Sequence, residues 1–495
     1  MSKDLTVGPP LRLIVLFTLP LLVGNVFQQL YLFTDAVVVG RLIGVDALAA
    51  VGATGSLTFL LIGFTWGSSA GLAIPVARAF GAGDRREVRR SVAAAAYASL
   101  GIATVITTAG CLGAGPMLRI LHTPPELMHS ASGFLMVTFG GSIVTVAYNL
   151  LAALIRALGD SRTPLIFLIV ATVLNGGLSA LFVGVFHLGV PGAALATIVA
   201  QAVAVAGCFV LITVRIPALH VRRDEWRLTR GYVWKTARLG IAMGFQTSII
   251  AIGSLILQYA VNGLGPLAIA AFTASSRVDQ VASAPLNSFG VALSTYVAQN
   301  RGARRWRRIR IGVRQTAWVS IGAAIVLGAV NIVFGTNLVR LFVGPAEPVV
   351  VADAHRYLIV QGATYVVLGL LFALRGSIQG LGKAAVPTIA GFMELLLRGG
   401  AGLILVTHVG FLGVCWASPL AWAGAMCALV PAWFVYRRRI LAQEQAQVPT
   451  RADQLLPATS FGSPDVPGHE VADLFDDDVE VGHGADEREM ALAGA

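Results

Sequence analysis

The sequence predicts an all-α polytopic membrane protein: twelve transmembrane helices in two six-helix bundles, related by a pseudo-two-fold axis along the membrane normal. Three observations lead there. Of 495 residues only 12% are charged, and 56% are hydrophobic before the 55 glycines are counted, whereas soluble domains carry roughly 25% charge. Twelve apolar stretches each reach the roughly 20 residues that a helix needs to cross a bilayer. The second half of the chain also repeats the first. So little charge cannot cover so much apolar surface in water, which excludes a soluble multidomain enzyme.

The spans fall at 11–36, 51–78, 88–112, 130–155, 164–186, 190–214, 236–261, 268–298, 311–334, 354–378, 387–408 and 412–436. The start, through Gln28, has the look of a signal peptide, but no small-residue cleavage site follows its apolar core, so an uncleaved first span is expected. Pro20 in the first span and Pro285 in the eighth are expected to bend their helices. Cys111, Cys208, Cys415 and Cys427 all sit inside apolar runs, without metal-ligand spacing or a disulfide framework.

Loop charge assigns orientation. With the N-terminus inside, 28 of the 36 basic residues fall near the inner side, among them Arg85, Arg86, Arg89, Arg90, Arg222, Arg223, Arg304, Arg305, Arg307, Arg308 and Arg310. The outer side receives Arg41, Arg119, Arg340 and Arg356, while Arg277 and Arg398 lie within spans. Both termini are therefore expected to be cytoplasmic. The basic clusters lie between apolar runs, which suits anionic lipid rather than nucleic acid.

The repeat is direct. Gly81, Ala82, Arg86 and Arg89 recur as Gly302, Ala303, Arg307 and Arg310 at an offset of 221, and ALAAVGA (47–53) recurs as AIAAFTA (268–274). LGDSRTP (158–164) matches LGKAAVP (381–387) at 223, and LGV (188–190) matches LGV (412–414) at 224. Six spans per copy, an even number, insert both copies the same way round, with a cavity between them, as secondary transporters are built. The lobes are expected at 1–220 and 221–442. Beyond them, 443–495 is expected to form a disordered acidic cytoplasmic tail, because residues 446–495 carry eleven acids and two arginines.

Three acids within the spans cannot readily reach an interface: Asp35, Asp279 and Glu394. An ionised acid at a helix centre costs about 2.5–3.5 kcal/mol on the insertion scale, so each is a candidate functional group. Gln28, Tyr31 and Asp35 share one helix face, with no cation within a turn on it, and such a lone carboxyl can take up and release a proton. Glu394 has Arg398 four residues on, the favourable order for a helical ion pair, serving either as an internal structural pair or as a substrate-facing element. Asp279 heads a stripe with Ser276, Ser283 and Asn287, read either as interhelical hydrogen bonding or as a cavity wall. Asn175 and Ser179, and likewise Ser254 and Gln258, stand four apart and either hydrate a cation or a protonated carboxyl or serve as ordinary packing polar residues; Asn175 is the cation-coupling candidate, and Gln28, Tyr31, Ser179 and Gln258 are cavity candidates.

No HExxH, no paired His/Asp set and no Gly-Ser-Gly elbow within a span points to catalysis, so the chain is not expected to be an enzyme. The loop FGAGDRREVRR (80–90) loosely resembles one in major facilitator transporters, but its second glycine is absent.

At QQLYLFTDAVVVGRLIGVDALAAVG (28–52), GAGDRREVRR (81–90), RALGDSRTP (156–164), LGVPGAALAT (188–197), SRVDQVASAP (276–285), QNRGA (299–303) and the Glu394–Arg398 segment, the chain resembles the MATE (multidrug and toxic compound extrusion) family, most of all its bacterial DinF-like branch. The resemblance covers about residues 10–440. It implies two bundles rocking about a central cleft and outward efflux of amphipathic, often cationic, organic compounds driven by inward protons or sodium. It also implies a bacterial inner or plasma membrane location, a carrier acid on the first helix at Asp35, and helix bending at Pro20. Where that family pairs an Asn with an acid on the fifth helix, Asn175 matches but Ser179 replaces the acid, which favours the proton over sodium as the coupling ion. No cofactor is implied, and a monomer is expected. A lipid-linked saccharide flippase of the related exporter superfamily is the alternative. It needs a cationic cavity, whereas the sequence places only Arg398 and Arg277 inside the spans.

Overall fold

The computed structural model describes residues 4–120, 123–343 and 348–447, and residues Met1–Gln445 form one compact unit. The helices are α1 (Pro10–Leu42), α2 (Val45–Gly81), α3 (Arg85–Ile120), α4 (Pro125–Gly140), α5 (Ser142–Ala157), α6 (Arg162–Ser179) and α7 (Gly189–Arg215) in the first half. In the second half they are α8 (Arg230–Asn262), α9 (Pro266–Gly302), α10 (Trp306–Val343), α11 (Pro348–Gly380), α12 (Ala385–Gly400), α13 (Val406–Val409) and α14 (Phe411–Ala446). Each predicted span lies in one helical run. The runs overshoot the predictions because helices of 33–38 residues, at about 1.5 Å per residue, outreach a hydrocarbon core roughly 30 Å thick.

Among the described residues, ten helices are long and apolar enough to cross a membrane, and the pair α4–α5, bent by 46° at Gly141, makes an eleventh. The twelfth predicted span is α9. Its polar positions, including Ser275, Ser276, Arg277, Asp279, Gln280, Ser283, Asn287 and Ser288, keep it below that apolarity, which is the signature of a helix facing a polar interior. Pro20 lies inside α1 and Pro285 inside α9.

The repeat is written in the backbone. Left-handed residues pair between the halves: Gly44 with Gly265, Gly83 with Arg304, Gly159 with Gly382, and Gly189 with Gly410. Three of these pairs keep the offset of 221, and the Gly159 pair has 223. The left-handed turn before the sixth span thus sits at 221, three residues short of the LGV identity at 224, so that identity does not mark structurally equivalent positions. Arg304 occupies with a side chain the conformation that Gly83 adopts freely. A second shared feature was not legible in the sequence. After α6 the helix widens to a π-helical turn at Ala180–Val185, and after α12 it does so at Ala401–Leu405, again 221 on.

The two repeats touch through their own repeated glycines. A Cβ added to Gly81 would strike the carbonyl of Gln299, and one added to Gly302 would strike the carbonyl of Arg78. Each glycine lies on the residue three before the other, so the C-terminal ends of α2 and α9 cross backbone to backbone. Further along, Gly67 and Gly71 of α2 face Met243, Leu239 and Gly240 of α8, where a Cβ on Gly71 would stand 2.6 Å from the Leu239 carbonyl. Small residues spaced by four permit this approach.

An N-terminal strap closes the same arginine-rich end. The Leu5 N–H donates to Gln299 Oε1 (3.0 Å), Gln299 Nε2 donates to the Ala157 carbonyl (2.7 Å), and Asn300 Nδ2 and Arg308 Nη2 both donate to the Leu5 carbonyl. Arg305 Nη1 donates to the Thr6 carbonyl (2.6 Å).

The repeated arginines also have matching partners. Arg89 Nε reaches Glu225 Oε1 at 2.7 Å, and Arg310 holds both oxygens of Glu444 at 3.0 Å. In each half the arginine pins the chain just past the sixth span. This corrects the expected boundary at 442, because α14 continues helical to Ala446 with Glu444 anchored. The rest of the expected tail, 448–495, lies outside the described residues.

If the glycine crossing holds the halves together, Gly302→Val should overpack it at a cost of about 1–3 kcal/mol. Gly55→Val, where nothing lies within 4 Å of the added Cβ, should be neutral. Thermal melts of the two purified variants check this, and equal melting temperatures would contradict it.

Candidate functional site

Helices α2, α5, α8, α9, α11, α12 and α14 surround a cavity of about 360 Å³. Its wall is largely apolar and aromatic, with Trp66, Met243, Leu368, Leu371, Phe372 and Trp422, and five ionisable side chains enter it: Arg156, Asp279, Arg375, Glu394 and Arg398. A smaller cavity of about 90 Å³ lies beside it, bounded by α1, α5, α6 and α9 and lined by Pro20, Asn25, Gln28, Tyr148 and Asn149. Trp66, Arg156, Asn287 and Val291 line both.

Asp279, Glu394 and Arg398 are each held from a neighbouring helix. Asp279 of α9 accepts a 2.6 Å hydrogen bond from the Tyr365 hydroxyl of α11, which itself accepts one of 2.9 Å from Asn331 Nδ2 of α10. Tyr365 is fully buried, so this three-helix relay fixes the carboxylate on the wall. Glu394 of α12 accepts from Arg375 Nη2 of α11, both being buried. Arg398 Nη1 donates to Ser254 Oγ of α8 at 3.0 Å. The expected i,i+4 pairing of Glu394 with Arg398 is therefore corrected, since Arg375 reaches the carboxylate from the facing helix and Arg398 turns to Ser254. Across α8 and α11, Gln379 Nε2 donates to Gln246 Oε1 at 3.0 Å.

The structure separates the sequence candidates into groups. Asp279, Ser283, Asn287, Glu394 and Arg398 line the larger cavity, and Gln28 lines the smaller one with Pro20. Tyr31 donates to the Thr197 carbonyl at 3.3 Å, and Asn175 Nδ2 donates to Thr197 Oγ1 at 3.1 Å. Thr197 of α7 thus gathers α1 and α6, one turn before the π-helical segment that follows Ser179. Asn175 and Ser179 are fully buried, and among the described residues Asn175 Oδ1 has no hydrogen-bond donor. Neither these two nor Tyr31 lines either cavity. Gln258 does not either, because its amide bonds Asn262 at 2.9 Å on the same helix. Asp35 belongs to α1, but its side chain lies outside the described residues.

Two cavity residues were missed. Arg156 and Arg375 sit at the inner ends of their spans, where a charge count groups them with the other basic residues near the inner side. Helix packing turns both inward, and only the partner helices show it. The relay residues Tyr365 and Asn331 stand in apolar runs with no sequence signal.

Comparison with known proteins places these features. A model of the MatE family matches residues 20–181 and 242–399. The chain is 30% identical over 383 residues to the probable multidrug resistance protein YpnP of Bacillus subtilis, covering 77% of this chain and 85% of that protein. It is 24% identical over 432 residues to the probable multidrug resistance protein NorM of Thermotoga maritima, covering 84% and 89%. Among solved structures, it is similar to a multidrug resistance MATE family transporter in its outward-facing conformation, with a TM-score of 0.80, 21% identity and coverage of 88% and 97%. A MATE structure in the straight conformation also gives a TM-score of 0.80 at 21% identity, covering 90% and 99%. These likenesses share one fold, twelve helices in two lobes.

The buried pair makes a sharp prediction. Removing one partner strands a charge, so Glu394→Leu or Arg375→Met alone should each lower stability by about 3–5 kcal/mol. The double variant should lose far less than the sum. A double-mutant cycle on thermal or denaturant unfolding checks it, and additive losses would show that the two groups do not depend on each other.

Proposed function

The chain belongs to the MatE family, and from that premise we propose that it is a secondary multidrug efflux antiporter. It moves amphipathic organic compounds outward in exchange for cations moving inward. One observation carries the reading: a cavity, apolar and aromatic with a few fixed charges, is lined by helices of both repeated halves, which meet backbone to backbone at the arginine-rich end. Such a wall suits compounds with a flat apolar body and one polar group. The matched relatives bear names for multidrug resistance and export, not for catalysis.

With the arginine-rich loops facing the cytoplasm of a bacterial-type cell, as loop charge favours, the end where the halves meet is the inner one. The glycine crossing and the strap would then have to part for substrate to enter from inside. Differential affinity of substrate and coupling ion for the two states supplies the drive.

Asp35 is the proposed carrier of the coupling ion, with the proton favoured and sodium the alternative. Asn175 Oδ1, buried without a donor among the described residues, can accept a hydrogen bond from a protonated carboxyl or contact a small cation. Ser179 brings no second charge, and hard cations prefer charged oxygens, which supports the proton.

The test is transport in proteoliposomes under separate proton and sodium gradients. Wild type should exchange dye for protons, and Asp35→Asn should lose exchange by at least about tenfold while remaining monodisperse. Unchanged exchange would remove Asp35 from the mechanism, and exchange driven only by sodium would reverse the choice of ion.

A second reading has one observation in its favour. A lipid-linked saccharide flippase requires cations in its cavity, and the guanidinium groups of Arg156, Arg375 and Arg398 all line it. Flipping of a lipid-linked precursor without dye-stimulated proton flux would select it.

A further inference from the structure

The charges of the larger cavity do not balance. Three guanidinium groups and two carboxylates line it. Glu394 is taken by Arg375, and Asp279 is held by Tyr365. Arg398 spends one nitrogen on Ser254. Arg156 is different. Among the described residues no carboxylate, carbonyl or hydroxyl accepts from it, and its ionisable neighbours are Tyr148 and Cys208, neither an anion at neutral pH. It opens RALGDSRTP (156–164), sits partly buried at the end of α5, and projects where the two cavities meet, next to Trp66 and Asn287. The Nε atoms of Arg375 and Arg398 are also buried without acceptors. An arginine fork that opens into a cavity, with no anion among the described residues to hold it, is a receptor for a planar or tetrahedral oxyanion.

We propose that Arg156 anchors an anionic group, a carboxylate, sulfonate or phosphate, on the compound that occupies this cavity, while Trp66 and the apolar wall take its body. The transported class is thereby amphipathic anions or zwitterions rather than simple organic cations. The word "transported" rests on the export reading above, but the binding site does not. Asn287, which lines both cavities together with Arg156, supplies an amide hydrogen-bonding group there.

Trp66 and Trp422 line the cavity, so energy transfer from tryptophan to a dansyl dye reports occupancy. The full-length protein in phosphatidylcholine nanodiscs is titrated with a dansyl dye bearing a carboxylate and with the same dye bearing a primary amine. Wild type should prefer the carboxylate dye. Arg156→Gln should weaken that dye about tenfold to a hundredfold, the usual worth of hydrogen bonds to a charged group, and leave the amine dye unchanged. Arg156→Lys should recover part of the affinity. Equal losses for both dyes, or no loss for the carboxylate dye, would overturn the proposal. If Arg156→Gln does not fold, the lysine variant and displacement of the carboxylate dye from wild type by an aryl sulfonate decide the matter. No displacement would count against the site.

The source of the anion is read by repeating the titration in phosphatidylglycerol nanodiscs. Weaker dye binding there, dependent on Arg156, identifies a lipid phosphate as occupant, and unchanged binding identifies a soluble anion. Export is tested apart. If the carboxylate dye binds through Arg156 but crosses under neither gradient, the export reading fails and the anion site stands.

Discussion

The crossing of α2 and α9 at Gly81 and Gly302 is the contact on which the cavity depends. Each glycine lies where any side chain would meet the opposing carbonyl, so the two halves approach to backbone distance at one end only because both positions are bare. That approach brings Gln299 against α2, and its amide then links the N-terminal strap to Ala157. The larger space left between the halves is the cavity. Its floor at Ala77, Ala157 and Ala298 is made of small side chains for the same reason. Bulk there would push the helices apart.

Much of the architecture could be read from the chain because it follows from solvent chemistry. Apolar runs of sufficient length must become helices in lipid, and the Gly–Ala–Arg motif at 81–89 repeats at 302–310 because each copy must pack and pin in the same way. What resisted reading was partner choice. Glu394 has an arginine four residues away, and local geometry alone favours that pair. Arg375 nevertheless reaches it from another helix, a fact that exists only after α11 and α12 have packed. Arg156 and Arg375 count among the basic residues near the inner side, because a linear count cannot tell which way a helix end faces. Tyr31 and Asn175 meet at Thr197, where the fifth span runs towards its widened turn, and a contact through a third helix leaves no trace in either local pattern.

The interior charges follow one logic. In a low dielectric an isolated charge is costly and a satisfied network is rigid. Asp279 is tied through Tyr365 and Asn331 across three helices, and the Arg375–Glu394 pair ties two more. These links tie helices of the second half to one another, whereas the first half offers the cavity one cation, Arg156, with no anion among the described residues to hold it.

The π-helical turns after α6 and α12 have a consequence beyond the present fold. A wide turn holds one residue more than its helix needs, and such insertions arise one at a time. Finding it in both halves, 221 residues apart, is what copying and fusion of a six-helix unit that already carried the wide turn would leave behind.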